Sequence, residues 1–124
     1  MSKRAGYSSV VPSCLFCQIV AGNIDADIVR TGELTIAIRD IKPQAPVHVL
    51  IVPKEHLAST AELTDGHGDL LVEIARMANW IATSDGVAES GYRLVTNTGP
   101  HGGQTVDHLH VHLLGGRQMT WPPG

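Results

Sequence analysis

No apolar run in these 124 residues approaches the roughly 20 needed for a helix to cross a bilayer, so no membrane span is expected. Basic residues form no cluster, and the formal net charge is -3. The electrostatic footprint of a protein that binds duplex nucleic acid is therefore missing. Residues 1–13 include Lys3 and Arg4 but lack the apolar core of a secretory signal. They read as a flexible leader before a single domain spanning 14–124, and a cytoplasmic location follows by default. Cysteine is scarce, with two in the chain, and in a cytosolic setting two cysteines seldom mean a structural disulfide. No internal repeat or linker is visible.

What remains is an ordinary soluble composition, 43% hydrophobic and 17% charged, patterned as mixed α and β. Residues 15–21 suit a short apolar helix closed by Gly22. Residues 28–31 and 35–39 read as a hairpin around Gly32-Glu33. Lys42-Pro43-Gln44-Ala45-Pro46 is a rigid loop, and 47–52 a β-branched strand ended by Pro53. From 69 to 84, Leu70, Leu71, Ile74, Met77, Ala78 and Ile81 fall at helical spacing. Thr64 or Asp65 is the candidate cap, and Gly86 the stop. Strands follow at 92–96 and 105–114, separated by a turn at 99–104. The class is α+β: an antiparallel sheet of about five strands with one long and one short helix.

The last strand carries His108-Leu109-His110-Val111-His112. Side chains alternate between faces along a strand, so three imidazoles would share one face, about 6–7 Å between neighbours. Leu109, Val111 and Leu113 would enter the core. Outward positions of a half-buried strand are usually Thr, Lys, Glu or Ser, and three of the chain's seven histidines in register point to chemistry: imidazole titrates near neutrality, binds metals and acts as a nucleophile or acid. The expectation requires the His110 ring to be open and aimed at its neighbours and the glycine turn. That turn, within Asn97-Thr98-Gly99-Pro100-His101-Gly102-Gly103-Gln104-Thr105, can expose backbone N–H groups to an anion, with Thr105 and Asn97 adding side-chain donors. Alone it would be a plain hairpin loop. His48 alternates with apolar neighbours in the same way and can share the face. Asp40 suits either the two hydroxyls of a ribose or a turn cap.

Cys14-Leu15-Phe16-Cys17 has the spacing of two thiolates in a zinc site, which two histidines would complete; His48 and His108 are the candidates. A redox pair and two cysteines packed as small apolar residues are the alternatives. His56, His67 and His101 look like surface residues.

From Cys14 to Gly124 the chain resembles the histidine triad family, marked by His-φ-His-φ-His-φ-φ with φ apolar, and is closest to its Hint branch of nucleotide hydrolases. The resemblance rests on residues 108–114, on Asp40-Ile41-Lys42-Pro43-Gln44-Ala45-Pro46, on His48-Val49-Leu50-Ile51-Val52-Pro53-Lys54, on Gly102-Gly103-Gln104, and on Leu114-Gly115-Gly116-Arg117-Gln118-Met119 with Trp121-Pro122-Pro123-Gly124. It implies a homodimer with one sheet running through both protomers. It also implies binding of purine nucleoside monophosphates or AMP conjugates, and hydrolysis of the P–N bond of adenosine phosphoramidates. Carried over by position, His110 is the nucleophile, His112 meets phosphate or leaving group, and His48 and His108 support the site. Asn97, Gly103 and Thr105 contact phosphate, Asp40 and Ile41 the ribose, while Leu15, Phe16, Ile19 and Leu50 line the base pocket. Trp121 reaches towards the partner. The family's other activities, dinucleoside polyphosphate hydrolysis and nucleotidylyl transfer, and a non-catalytic nucleotide-binding role are the rivals; the Trp121–Gly124 ending argues against the first two. A His₃ catalytic metal site is disfavoured, because rings spaced along one strand converge poorly on one ion.

Thr105 stands where close relatives usually have Ser, Asp107 where an aromatic is frequent, and Pro100-His101 alters the turn. The Cys14–Cys17 pair occurs in some branches, where it resembles the zinc site of related uridylyltransferases. Zinc would be structural and the chemistry metal-free. A tension follows: a His48 that binds zinc cannot also relay protons.

Overall fold

A computed structural model of the chain describes residues 10–124. The elements are α1 (Leu15–Val20), β1 (Ile28–Thr31), β2 (Thr35–Arg39), β3 (Val47–Pro53), α2 (Gly68–Ser84), β4 (Tyr92–Val95) and β5 (Val111–Gly115), with two 3-10 turns before α2. The five strands form one antiparallel sheet in the order β1-β2-β3-β5-β4, which gives the α+β architecture read from the sequence. No helix among the described residues is long and apolar enough to cross a membrane.

Central strands buried on both faces split the core in two. Ala37, Val49, Ile51, Leu109 and Leu113 point to one side, where the apolar stripe of α2 (Leu70, Ile74, Met77, Ala78, Ile81) covers them. Their alternates Ile36, Ile38, Leu50 and Val52 point to the other, beneath Phe16, Cys17 and Ile19 of α1. Pleating forces this division, because neighbours along a strand cannot share a face. Leu50 of β3 pairs with His112 of β5, and directly opposed residues lie on the same face. The histidine side of the sheet is therefore the α1 side.

Local chemistry sets the ends of α2. Thr64 caps the 3-10 turn that leads into it, its hydroxyl accepting from the Gly66 amide while the His67 ring reaches back to the Thr64 amide. Gly86, at φ 76°, stops it. Glu73 holds the β1–β2 hairpin to α2 by accepting from the Leu34 amide (2.9 Å) and the Thr35 hydroxyl (2.6 Å).

Two expectations change. β5 begins at Val111, not residue 105, so only His112 of the three histidines lies in a strand. His108, in a bend, and His110 precede it, and the alternation survives, since Leu109 and Leu113 stay in the α2-side core with Val111 packed against it. The leader expected over 1–13 falls outside the described residues up to 9; beyond it, Val10 and Val11 pack against the α1-side core.

Ile51 is fully buried at the centre of the sheet. Ile51→Ala is expected to cost about 2–5 kcal/mol, read as a lower urea midpoint with unchanged slope.

Candidate active site and metal centre

Backbone groups dictate the protonation of the histidine face. The His110 ring bonds through Nδ1 to the His108 carbonyl at 2.7 Å. A carbonyl only accepts, so Nδ1 carries the hydrogen and Nε2 keeps its lone pair. That Nε2 has no hydrogen-bond partner among the described residues. The Gln44 amide donates to His48 Nδ1 at 2.9 Å, which places the hydrogen of neutral His48 on Nε2, 2.9 Å from His112 Nδ1. His112 Nδ1 accepts it, and the hydrogen of neutral His112 sits on Nε2. Adjacent rings thus present opposite functions: a lone pair from His110 and an N–H from His112, with centroids 5.0 Å apart.

The His110 side chain is buried, 7% exposed, which contradicts the open ring expected from the sequence: Phe16 of α1 packs edge-on against it at 5.0 Å. The ring still faces His112, but its own ties run to His108 and Phe16 rather than to the glycine turn. Asp40 divides its carboxylate: Oδ1 accepts from the Lys42 amide at 2.8 Å, capping the turn, and Oδ2 lies 3.4 Å from His48 Nε2.

A second cluster joins Cys14, Cys17, His56 and His108. His108 Nδ1 lies 3.3 Å from Cys14 Sγ, 3.6 Å from Cys17 Sγ and 3.2 Å from His56 Nδ1, and Cys17 Sγ is 3.2 Å from His56 Nδ1. Tetrahedral zinc with bonds of about 2.3 Å to sulfur and 2.0–2.1 Å to nitrogen would set its donors roughly 3.3–3.7 Å apart, close to these separations. His108 Nε2 donates to the Pro53 carbonyl at 2.9 Å, leaving the Nδ1 lone pair aimed into the cluster, as a metal ligand needs. The donor set fits zinc.

This corrects the expected ligand set: His56, not His48, stands beside the cysteines. The cysteines meet His108 at the Pro53 end of β3, five residues or about 17 Å from His48. His56, three residues past Pro53, turns back into the cluster and is half-buried rather than a surface residue. The tension over His48 disappears with it, since its ring is left to His112.

Other expected site residues are less gathered. Phe16, Ile19 and Leu50 share the α1-side core, but Leu15 is 47% exposed and lies apart from it, and Ile41 is 93% exposed. Thr105 lines a cleft of about 400 Å³ with Val11, Ser13, Cys14, Leu15, His56, Val106 and Asp107; His110 and His112 are not among its walls. Asn97 is half-buried, beside Thr96, whose hydroxyl donates to the His110 carbonyl at 3.0 Å. The glycine turn is tightly built. A Cβ at Gly102 would collide with the Thr98 carbonyl, and Gly103 sits at φ 81°. Gln104, unassigned in the sequence reading, fastens it: its Oε1 accepts from the Gly99 amide (2.9 Å), and its amide donates to the Ala58 and Val106 carbonyls (2.6 and 2.9 Å).

The HIT domain family model matches residues 21–119. A 14 kDa zinc-binding protein of Zea mays is 46% identical over 112 residues, covering 89% of this chain and 87% of that one. The purine nucleoside phosphoramidase of Escherichia coli K12 is 44% identical over 105 residues, covering 85% and 88%. Among solved structures, a HIT family hydrolase from Legionella pneumophila superposes with a TM-score of 0.87 at 51% identity, covering 90% of this chain and 99% of that one.

Burial lowers the pKa of His112 from 6.5 to about 4, with His110 and His48 adding to the fall and Asp40 opposing it. Burial also lowers His48, again against Asp40. Both rings are neutral at pH 7. Between pH 6.5 and about 4 the unfolded chain takes up protons that the folded chain refuses, so stability is full above 6.5 and falls as the pH drops through this window. His112→Asn is expected to flatten that fall. Urea unfolding of both proteins from pH 7.5 to 4.5 measures it, and equal slopes would show that folding does not hold His112 neutral.

Proposed function

The chain belongs to the HIT domain family, and from that premise we propose that it hydrolyses the P–N bond of purine nucleoside 5′-phosphoramidates through a nucleotidyl-histidine on His110. The observation that carries this reading is the hydrogen bond from His110 Nδ1 to the His108 carbonyl. It fixes a nucleophilic lone pair on Nε2, beside a ring of the opposite tautomer. The phosphoramidase name of the Escherichia coli relative supports the bond class.

In the first step His110 Nε2 attacks phosphorus, the Nε2–P bond forms and the P–N bond breaks, its electron pair leaving with the nitrogen. An amine leaves poorly unless protonated, and a positioned acid contributes about 10²–10⁴-fold. Anionic phosphate beside His112 favours its cationic form: once the His48 Nε2–H turns to Asp40 Oδ2, 3.4 Å away, His112 Nδ1 takes a proton from solvent, and the Nε2 proton passes to the departing nitrogen. In the second step water attacks phosphorus, the P–Nε2 bond breaks, and His112 takes the water proton. Splitting one displacement into two is the advantage of covalent catalysis. Phe16, Ile19 and Leu50 offer the base an apolar wall, Asp40 and Ile41 meet the ribose, and Asn97, Gly103 and Thr105 meet phosphate.

Zinc at Cys14, Cys17, His56 and His108 is proposed as a structural cross-link that takes no part in bond breaking. The zinc-binding name of the Zea mays relative and the donor separations support it. Burial raises the Cys17 thiol above its usual pKa, a cost that a bound cation offsets. A homodimer is proposed too. β4 is an edge strand of the sheet, and its Leu94 is 43% exposed, an open edge on which a second copy's strand would continue the sheet.

The test offers an adenosine phosphoramidate and a diadenosine polyphosphate to the full chain and traps nucleotidyl-protein by mass spectrometry. The adduct is expected on His110 with the phosphoramidate as preferred substrate; preference for the dinucleotide would reassign the reaction. His110→Ala is expected to lower turnover by roughly 10³-fold or more while still binding AMP, and retained turnover refutes the role. Metal analysis is expected to find one zinc per chain, lost in the Cys14→Ser/Cys17→Ser variant.

A further inference from the structure

His108 belongs to both centres. Its ring enters the Cys14–Cys17–His56 cluster through Nδ1, while its carbonyl accepts the hydrogen of His110 Nδ1. Whatever fixes the His108 ring therefore fixes the group that sets the His110 tautomer. Phe16 makes a second bridge: it packs edge-on against His108 at 5.8 Å and against His110 at 5.0 Å, and it lies between the two cysteines in sequence. Cys14 is the N-cap of α1, its sulfur accepting from the Cys17 amide at 3.4 Å. α1 has six residues, far below the roughly 12–15 at which an isolated helix becomes even marginal in water. Its position depends on tertiary ties. The cysteines supply such ties, and Phe16 and Ile19, buried in the same core cluster, are the residues that the nucleotide reading sets against the base.

We propose that zinc in the Cys14–Cys17–His56–His108 centre and a purine nucleotide on the His110 face bind cooperatively, each tightening the other, with Phe16 and His108 carrying the coupling. The inference rests on the nucleotide reading above and adds to it a link that neither centre shows alone. Ordering α1 has an entropic cost, and the ligand that binds second meets a helix already in place. Coupling between two sites is reciprocal, so one factor must appear in both affinities.

The test uses the full zinc-loaded chain with AMP as the probe. AMP affinity is measured by calorimetry on loaded and chelator-stripped protein, and zinc affinity by competition with a chromophoric chelator, with and without saturating AMP. The Cys14→Ser/Cys17→Ser variant corrects for zinc held by the nucleotide itself. Both affinities are expected to rise by the same factor, about fivefold or more. In Phe16→Leu, which keeps every metal donor, the rise in zinc affinity on adding AMP is expected to shrink to less than half, with circular dichroism showing that the stripped chain stays folded. AMP and zinc both bound, with ratios within about twofold of one, overturns the coupling and leaves the nucleotide reading standing. An unchanged ratio in Phe16→Leu overturns the route. No binding of AMP by the loaded chain removes the nucleotide reading and the coupling with it.

Discussion

The pairing of β3 with β5 is the constraint on which the rest depends. It sets Leu50 opposite His112 and Ile51 opposite Val111. Because pleating sends neighbours to opposite faces, that single register commits Val49, Ile51, Leu109 and Leu113 to the α2 side and brings His48 and His112 together on the α1 side. A slip of one residue would carry the imidazoles into the α2 core and its aliphatic chains onto the histidine face. The apolar packing that stabilises the sheet is thus what selects the arrangement of the polar site.

Within that frame, main-chain atoms do much of the chemical preparation. The His108 carbonyl, the Gln44 amide and the Pro53 carbonyl each touch one ring nitrogen, and each decides where that ring's hydrogen sits. Backbone groups hold their protonation across the pH range, so these tautomers do not depend on other titrating side chains. The two ends of β3 are separated as well. At the His48 end the rings stay free of thiols; at the Pro53 end His108 turns into the sulfur-rich cluster. One strand length keeps the Cys14–Cys17–His56–His108 cluster apart from the His48–His112 pair.

Much of this was legible in the chain. The β1 and β2 bounds, the span of β3 and the long helix follow from alternation, helical spacing and the punctuation of Gly and Pro, all local signals. The alternation of His108, His110 and His112 with apolar residues also marked the face they share, because neighbours in such a run point to opposite sides. Local signals fail where a partner distant in sequence decides. His108 and His110 lie outside β5 because β3 offers its ladder only to Val111 and beyond. His56 looked like a surface residue because nothing near it in sequence reveals that the chain turns back after Pro53 to meet Cys17.

The sequence by itself determined the strand and helix periods, the α+β class, the shared face of the histidines and the thiolate spacing of Cys14 and Cys17, since each depends on residues close enough along the chain to be linked by fixed backbone geometry. Only the tertiary structure decided that His56 rather than His48 completes the cysteine cluster, that Gln44 and His108 set the tautomers of His48 and His110, and that Phe16 joins the two centres. Those contacts span two to 94 residues and exist only once β3, β5 and α1 have packed, because no local rule encodes which distant atoms a fold brings within 3 Å.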